Sequence, residues 1–297
     1  MNWKGLFIVA FTLLISGTVF GQANLLNAKD PSEIGVKTQA QKDADNDGPL
    51  PYGYVDDRDI LWSATTWEII DLDERVNFPL YYPIDTIDIR SDRRSLYDVL
   101  LKNVKNGKIK KVYGDGNFIE ERTYKDIEAT LRKVDTTDLG KEQLNANEAL
   151  SDEYINVRDL TAADIEEYHV KGVWYFDKRQ GELKFRLLAI APVAPDVNFI
   201  DVEGQQDLVE LFWVFYPDVR GILHEAKAFN DRNAAKPLSF DHLLNARRFN
   251  GIIYKEENVQ GDRRVKDYVR ENSLMQLLES ERIKDKIRGR EQDMWNY

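Results

Sequence analysis

The chain is predicted to be an α+β protein: a mostly antiparallel sheet with flanking helices, an extended N-terminal arm and a long C-terminal helix. Three observations predict it. Tyr168 to Asp177 and Glu182 to Ala191 are aromatic and β-branched runs separated by Lys178-Arg179-Gln180-Gly181, a hairpin turn in which Gly181 supplies positive φ. Ser273 to about Glu291 places Leu274, Leu277, Leu278, Ile283 and Ile287 on one side of a helix and charges on the other. Residues 22–55 hold few apolar side chains and several turn formers, among them Asp47-Gly48-Pro49 and Pro51-Tyr52-Gly53, and read as an extended acidic arm.

The remaining elements follow in chain order. Ile60, Leu61, Trp67 and Ile70 form one apolar stripe of a helix that opens with Asp56, Asp57 and Asp59. Phe78-Pro79-Leu80-Tyr81-Tyr82-Pro83 is extended, because a residue before proline is pushed out of the α region. Ser91 or Asp92 caps a helix carrying Leu96, Val99, Leu100 and Val104, stopped by Asn106-Gly107. Ile109 to Tyr113 suggests a strand and Gly114 to Asn117 a turn. Thr123 opens a helix through Leu131 and Val134, and 135–150 read as a polar loop or broken helix. Leu208 to Tyr216 is nearly all apolar and is expected as one central strand ended by Pro217. Ser239 starts a helix through Leu243 and Leu244, and Phe249 to Tyr254 is a further strand. Residues 56–150 thus form a helical N-terminal part and 151–297 a β-rich core that can share one domain with it.

Composition narrows the function. The 297 residues include 41 Lys+Arg, 52 Asp+Glu and no cysteine. Without cysteine there is no disulfide scaffold, thiol nucleophile or cysteine-borne lipid anchor. A net charge of -11 argues against nucleic acid as a partner. Gln22 to Val76 holds 5 basic and 12 acidic residues, whereas 251–297 is balanced at 10 and 10.

Residues 1–21 have the plan of a secretory signal peptide. Lys4 precedes the uncharged stretch Gly5 to Phe20, too short for a span of about 20 residues, and Val19 and Gly21 occupy the -3 and -1 positions of a cut before Gln22. An exported protein of this size without disulfides relies on its core, on partners, or on both.

The spacings that catalysis uses are missing. The chain contains no G-x-S-x-G, G-x-x-x-x-G-K-[ST] or H-E-x-x-H, and Gly114-Asp115-Gly116 lacks the third glycine of a dinucleotide turn. His169, His224 and His242 are far apart in sequence and read as one strand residue and two partly exposed ones; Ser239 is a helix cap rather than a nucleophile. Asp71, Asp73 and Glu74 offer carboxylate pairs without a marked cleft. Asp43, Asp45 and Asp47 with Gly48 match the first half of an EF-hand calcium loop, but Tyr54 stands where the loop requires Glu, so a solvated acidic linker is the simpler reading. Trp62, Trp67, Trp174 and Trp213 belong to regular elements and read as core. Were they exposed, they would instead make a carbohydrate- or peptidoglycan-binding face. No catalytic residue, cofactor or metal site is therefore assigned. The final Met294-Trp295-Asn296-Tyr297 suggests an end that docks rather than frays.

Several runs carry a resemblance. Leu61-Trp62-Ser63, Ile70-Asp71-Leu72, Asn77-x-Pro79-Leu80-Tyr81-Tyr82-Pro83, Trp174-Tyr175-Phe176-Asp177-Lys178, Leu211-Phe212-Trp213-Val214-Phe215-Tyr216-Pro217, Lys255-Glu256-x-Asn258-Val259 and Glu279-Ser280-Glu281-Arg282-Ile283-Lys284 are similar to the gliding motility family GldN, also called PorN. The likeness runs from about Asp56 to the C-terminus. It implies a non-enzymatic periplasmic component of the type IX secretion and gliding machinery. It further implies a ring built by self-association with an outer-membrane lipoprotein of the GldK/PorK kind, connected to an inner-membrane motor component of the GldM/PorM kind.

Overall fold

The computed structural model describes residues 30, 48–87, 93–146, 152–199, 207–230, 238–270 and 272–294. Pro49–Thr86 and Arg93–Tyr297 form one compact unit. Its centre is an antiparallel sheet of β1 (Ile60–Asp71), β6 (Glu167–Asp177), β7 (Glu182–Pro195), β8 (Leu208–Glu210), β9 (Val214–Phe215) and β12 (Ile252–Glu256), in the order β12-β1-β6-β7-β8, with β9 also on β7. Three small antiparallel pairs surround it: β2 (Val112–Tyr113) with β3 (Glu121–Arg122), β4 (Arg132–Thr136) with β5 (Ile155–Asp159), and β10 (Lys227–Ala228) with β11 (Leu238–Ser239). The helices longer than four residues are α1 (Leu96–Lys105), α2 (Tyr124–Leu131), α3 (Asp138–Asn145), α4 (Tyr216–Glu225), α5 (Phe240–Asn245) and α6 (Ser273–Met294). Mixed helices on an antiparallel sheet, with a long helix near the end, match the expected α+β class.

The β6–β7 hairpin forms where expected, with Gly181 at φ +65°. The first half of β6 alternates: Tyr168 and Val170 enter the main core while His169 and Lys171 lie on the other face. At Gly172 the register shifts, and a Cβ there would sit 2.2 Å from the Phe185 ring and 3.1 Å from the Arg186 carbonyl. Ile70, Val170 and Ile190 pack against Leu96, Leu100, Leu223, Phe240 and Leu244 to make the main core between the sheet and its helices.

The caps explain where helices begin. Ser95 Oγ accepts from Asp98 N at 3.1 Å and opens α1; the expected caps Ser91 and Asp92 lie outside the described residues. Thr123 and Asp126 close a capping box on α2, and Ser239 Oγ accepts from His242 N at 3.1 Å on α5.

Other expectations are corrected. Asp56 caps only a 3-10 turn, Asp57–Asp59, and the stripe expected to be helical is strand β1. Thr66, Trp67 and Glu68 are all buried, so a strand covered on both faces shows no alternation to read. Phe78–Tyr81 is a helical turn, since Pro79 in its first positions costs no hydrogen bond. The strand expected from Ile109 is only Val112–Tyr113, and α2 stops at Leu131, leaving Val134 in β4. Within 135–150, residues 138–145 form α3.

Leu208 to Tyr216 is not one strand. Pro192 in β7 has no N–H, so the ladder breaks opposite it. Leu211 N donates to Pro192 O at 3.0 Å, and Trp213 exchanges two backbone bonds of 2.8 Å with Tyr113. Pro217 starts α4 rather than ending a strand.

Helix α6 covers the outer edge of the sheet. Ser280 Oγ accepts the edge-strand Ile253 N at 2.8 Å, and Ile283 and Ile287 pack on Ile253 and Val265. The leucines expected on the same buried side are not there: Leu274 is 66% and Leu278 56% exposed, and Met275 and Leu277 are also exposed.

Candidate functional site

Two polar and aromatic clusters border the core, and both bind pieces of chain together. The first is a groove under the end of the arm. On α4 the buried stripe Tyr216, Val219, Arg220 and Leu223 includes a charge. Arg220 Nε and Nη2 donate to Asp241 of α5 at 2.9 and 3.2 Å, and Tyr216 Oη donates to the same carboxylate at 2.9 Å. Asn245 Nδ2 adds a bond of 2.8 Å. A buried ion pair holds only when its remaining donors are satisfied, and here the arm satisfies one: Arg220 Nη2 donates to Leu50 O at 2.6 Å. Tyr52 fills the groove. Its hydroxyl donates to Asn245 Oδ1 at 2.9 Å, and the guanidinium carbons of Arg220 and Arg186 lie 4.0 and 4.7 Å from its ring centroid. Arg186 Nη2 also donates to Gly53 O at 3.0 Å. Burial raises the Tyr52 pKa, opposed by Arg220.

The second cluster lies on the sheet face away from the main core. The small Ala189 and Ala191 leave room for the indole of Trp213. Its Nε1 donates to Glu210 at 2.7 Å, and His169 Nδ1 lies 2.7 Å from the same carboxylate, with Glu167 3.4 Å from Nε2. Burial opposes the charged imidazole, but the bonds to Glu167 and Glu210 outweigh it and raise the His169 pKa. Glu210 is likewise penalised by burial, yet His169 and Trp213 hold its pKa below the ordinary value. One strand further, Trp67 is the cross-strand partner of both Lys255 and Lys171, whose ammonium nitrogens lie 4.2 and 4.8 Å from its ring centroid. Lys171 also donates to Gly116 O and Asn117 Oδ1 at 3.0 and 2.9 Å, which ties the β2–β3 turn to the sheet. Burial and Lys255 lower the Lys171 pKa.

The residues weighed for chemistry are dispersed. His224 is half-buried at the end of α4 and His242 is exposed on α5, so neither joins His169. Ser239 caps α5. Asp71 Oδ1 accepts from Asp73 N at 2.8 Å and Glu74 accepts from Asn250 at 2.7 Å, both in a turn rather than across a cleft. Asp43, Asp45 and Asp47, and Trp295 and Tyr297, lie outside the described residues. Trp67 and Trp213 are buried, and Trp62 and Trp174 are half-buried against the α6 cluster. Buried or half-buried in this way, the four indoles make no open sugar platform.

The groove residues Tyr52, Arg220, Asp241 and Asn245 were not singled out by the sequence. A signal existed: Arg220 interrupts an i, i+3, i+4, i+7 apolar stripe. Reading 208–216 as a strand ended by Pro217 hid that helix.

Among the described residues no helix is long and apolar enough to cross a membrane. These features define an α+β protein whose polar and aromatic clusters join chain segments. The family model described as "Gliding motility associated protein GldN" matches residues 55–296, and the chain belongs to that family. It is thus a gliding motility-associated protein. A comparison with curated proteins finds no match.

Proposed function

We propose that the chain is a non-enzymatic structural component of the type IX protein secretion and gliding machinery. It is exported to the periplasm by residues 1–21 and held at the outer membrane by a lipoprotein of the GldK/PorK kind. It self-associates with that partner in a ring, and the ring couples to an inner-membrane component of the GldM/PorM kind. The observation that carries this reading is the GldN match, which runs through nearly the whole described chain from residue 55 to 296. The absence of cysteine supports a partner-held rather than a lipidated protein. The exposed row Leu274, Met275, Leu277 and Leu278 supports α6 as a contact element, because contiguous apolar surface marks interaction sites. The acidic arm, 22–55, is the other contact element. Co-expression with the lipoprotein tests the reading: the two proteins co-purify as one large particle. A chain that stays monomeric beside its partner overturns it.

A further inference from the structure

We propose that the basic cavity between the end of α1 and the β2–β3 pair takes an acidic peptide segment of a partner protein, with an apolar side chain on its floor and carboxylates on its lysine rim. The proposal rests on the assembly reading and adds a contact to it.

The sequence gathers positive charge here. From 102 to 111 the chain carries Lys102, Lys105, Lys108, Lys110 and Lys111 and no Asp or Glu, in a protein of net charge -11. All of these lysines are exposed. The negative end of α1 favours Lys102 and Lys105 in its last turn. Lys108 and Lys110 come after the helix, beyond Gly107 at φ +68°, and the dipole gives no reason for them. The neighbouring carboxylates do not neutralise the cluster, because each has another partner. Lys111 donates to Glu121 at 2.6 Å and Arg122 to Glu120 at 3.0 Å. Asp126 closes the capping box on Thr123, and Asp159 accepts two bonds from Arg132. Lys102, Lys105, Lys108 and Lys110 make no ion pair among the described residues. Like charges gathered on one surface repel, and an anionic partner relieves that repulsion.

The shape of the site selects among anions. A cavity of about 380 Å³ is walled by the buried Val104, Ile109 and Val112 and by Lys105, Lys110 and Arg122. The Lys105 ammonium lies 5.8 Å from the Tyr124 ring centroid. A single phosphate needs donors that converge, as at a helix N-terminus. Here the N-terminus of α2 is filled by the chain's own Asp126, which accepts from Thr123 N and Oγ1 at 2.7 Å each, and the lysines are strung along 102–111. A flat anionic membrane meets the lysine tips but leaves the apolar floor empty. A peptide with an apolar residue among Asp and Glu meets both, filling the floor with one side chain and spreading its carboxylates over the rim.

The test uses the full chain assembled with the lipoprotein. A photoreactive p-benzoylphenylalanine replaces Asn106, an exposed residue between the wall residues Lys105 and Gly107. Illumination is expected to join it to a partner peptide rich in Asp and Glu, identified by mass spectrometry. The yield is expected to fall roughly tenfold between low and high salt, and roughly tenfold in Lys108→Glu with Lys110→Glu, while Lys108→Arg with Lys110→Arg retains it. Should the reversal variant melt early, Lys108→Gln with Lys110→Gln decides, with an expected loss of about threefold. An assembled particle with no crosslink, with crosslinks to peptides of this chain or to acid-poor peptides, or with a yield indifferent to the lysines, overturns the proposal and leaves the assembly reading standing. Vesicles of phosphatidylglycerol in phosphatidylethanolamine test the membrane: lysine-dependent co-sedimentation without a peptide crosslink assigns the patch to lipid and overturns the proposal too. A particle that never forms overturns both readings.

Discussion

Glu68, in the middle of β1, receives both terminal nitrogens of Arg247 at 2.8 and 3.1 Å, across 179 residues of sequence. The carboxylate is buried, and Gly251 is small enough to pass beside it, since a Cβ there would meet Glu68 Oε2 at 2.8 Å. Arg247 adopts φ +49° to reach it and stacks within 4.2 Å of the Phe185 ring centroid and 4.8 Å of the Trp174 centroid. The pair fastens the loop after α5 to the centre of the sheet. Glu68→Ala leaves Arg247 half-buried without its counter-charge and is expected to cost about 3 kcal/mol. Urea unfolding of the monomer measures it, and a loss below half a kilocalorie per mole would show that the pair is not structural.

Helix α6 divides into an anchored half and a free half. Ile283→Ala or Ile287→Ala empties space against Ile253 and Val265 and is expected to cost roughly 2–4 kcal/mol. Leu277→Ser changes an exposed position and is expected to stay within about 0.5 kcal/mol. Denaturation midpoints of the three variants decide it; equal losses at Leu277 and Ile283 would mean that the whole apolar side is packed.

Ser280→Ala removes the acceptor for the buried Ile253 N–H at the sheet edge. The expected loss is about 1–3 kcal/mol, with faster amide exchange confined to β12. Unchanged exchange there would show that the edge does not depend on α6.

His169 gives the fold a pH signature. Its folded pKa is raised above the ordinary 6.5 by Glu167 and Glu210, so the bonus is fully present below 6.5 and lost as pH rises through the folded value. Glu210 is shifted the other way: its contribution is present above the ordinary 4.5 and fades as pH falls through its lowered folded value. The pair is therefore most stabilising between about 4.5 and 6.5. Melting temperatures from pH 5 to 8.5 are expected to fall on the alkaline side in the parent chain, with a flatter slope in His169→Gln. Parallel slopes would remove His169 as the cause.

How much of this was readable from the sequence depends on which residues face what. The β6–β7 hairpin was legible because two aromatic and β-branched runs flank the turn Lys178-Arg179-Gln180-Gly181. The start of α5 was legible because Ser239 is a cap that acts within three residues. Strand β1 was not, because Thr66, Trp67 and Glu68 are covered on both faces and no period survives. The break at 211–213 depends on Pro192 and Tyr113, distant partners that a local pattern does not contain. Periodicity placed Leu274, Leu277 and Leu278 on one side of α6 but could not say that they stay exposed among the described residues. The arm groove was the least visible, since Tyr52 and Asn245 are 193 residues apart and their link is made by the fold alone.

We propose that this GldN-family chain works as a ring-forming structural partner of a lipoprotein. Electron microscopy of the chain co-expressed with that lipoprotein tests it most directly. The account predicts closed, ring-shaped particles containing both proteins. Separate, monomeric proteins under the same conditions would contradict it.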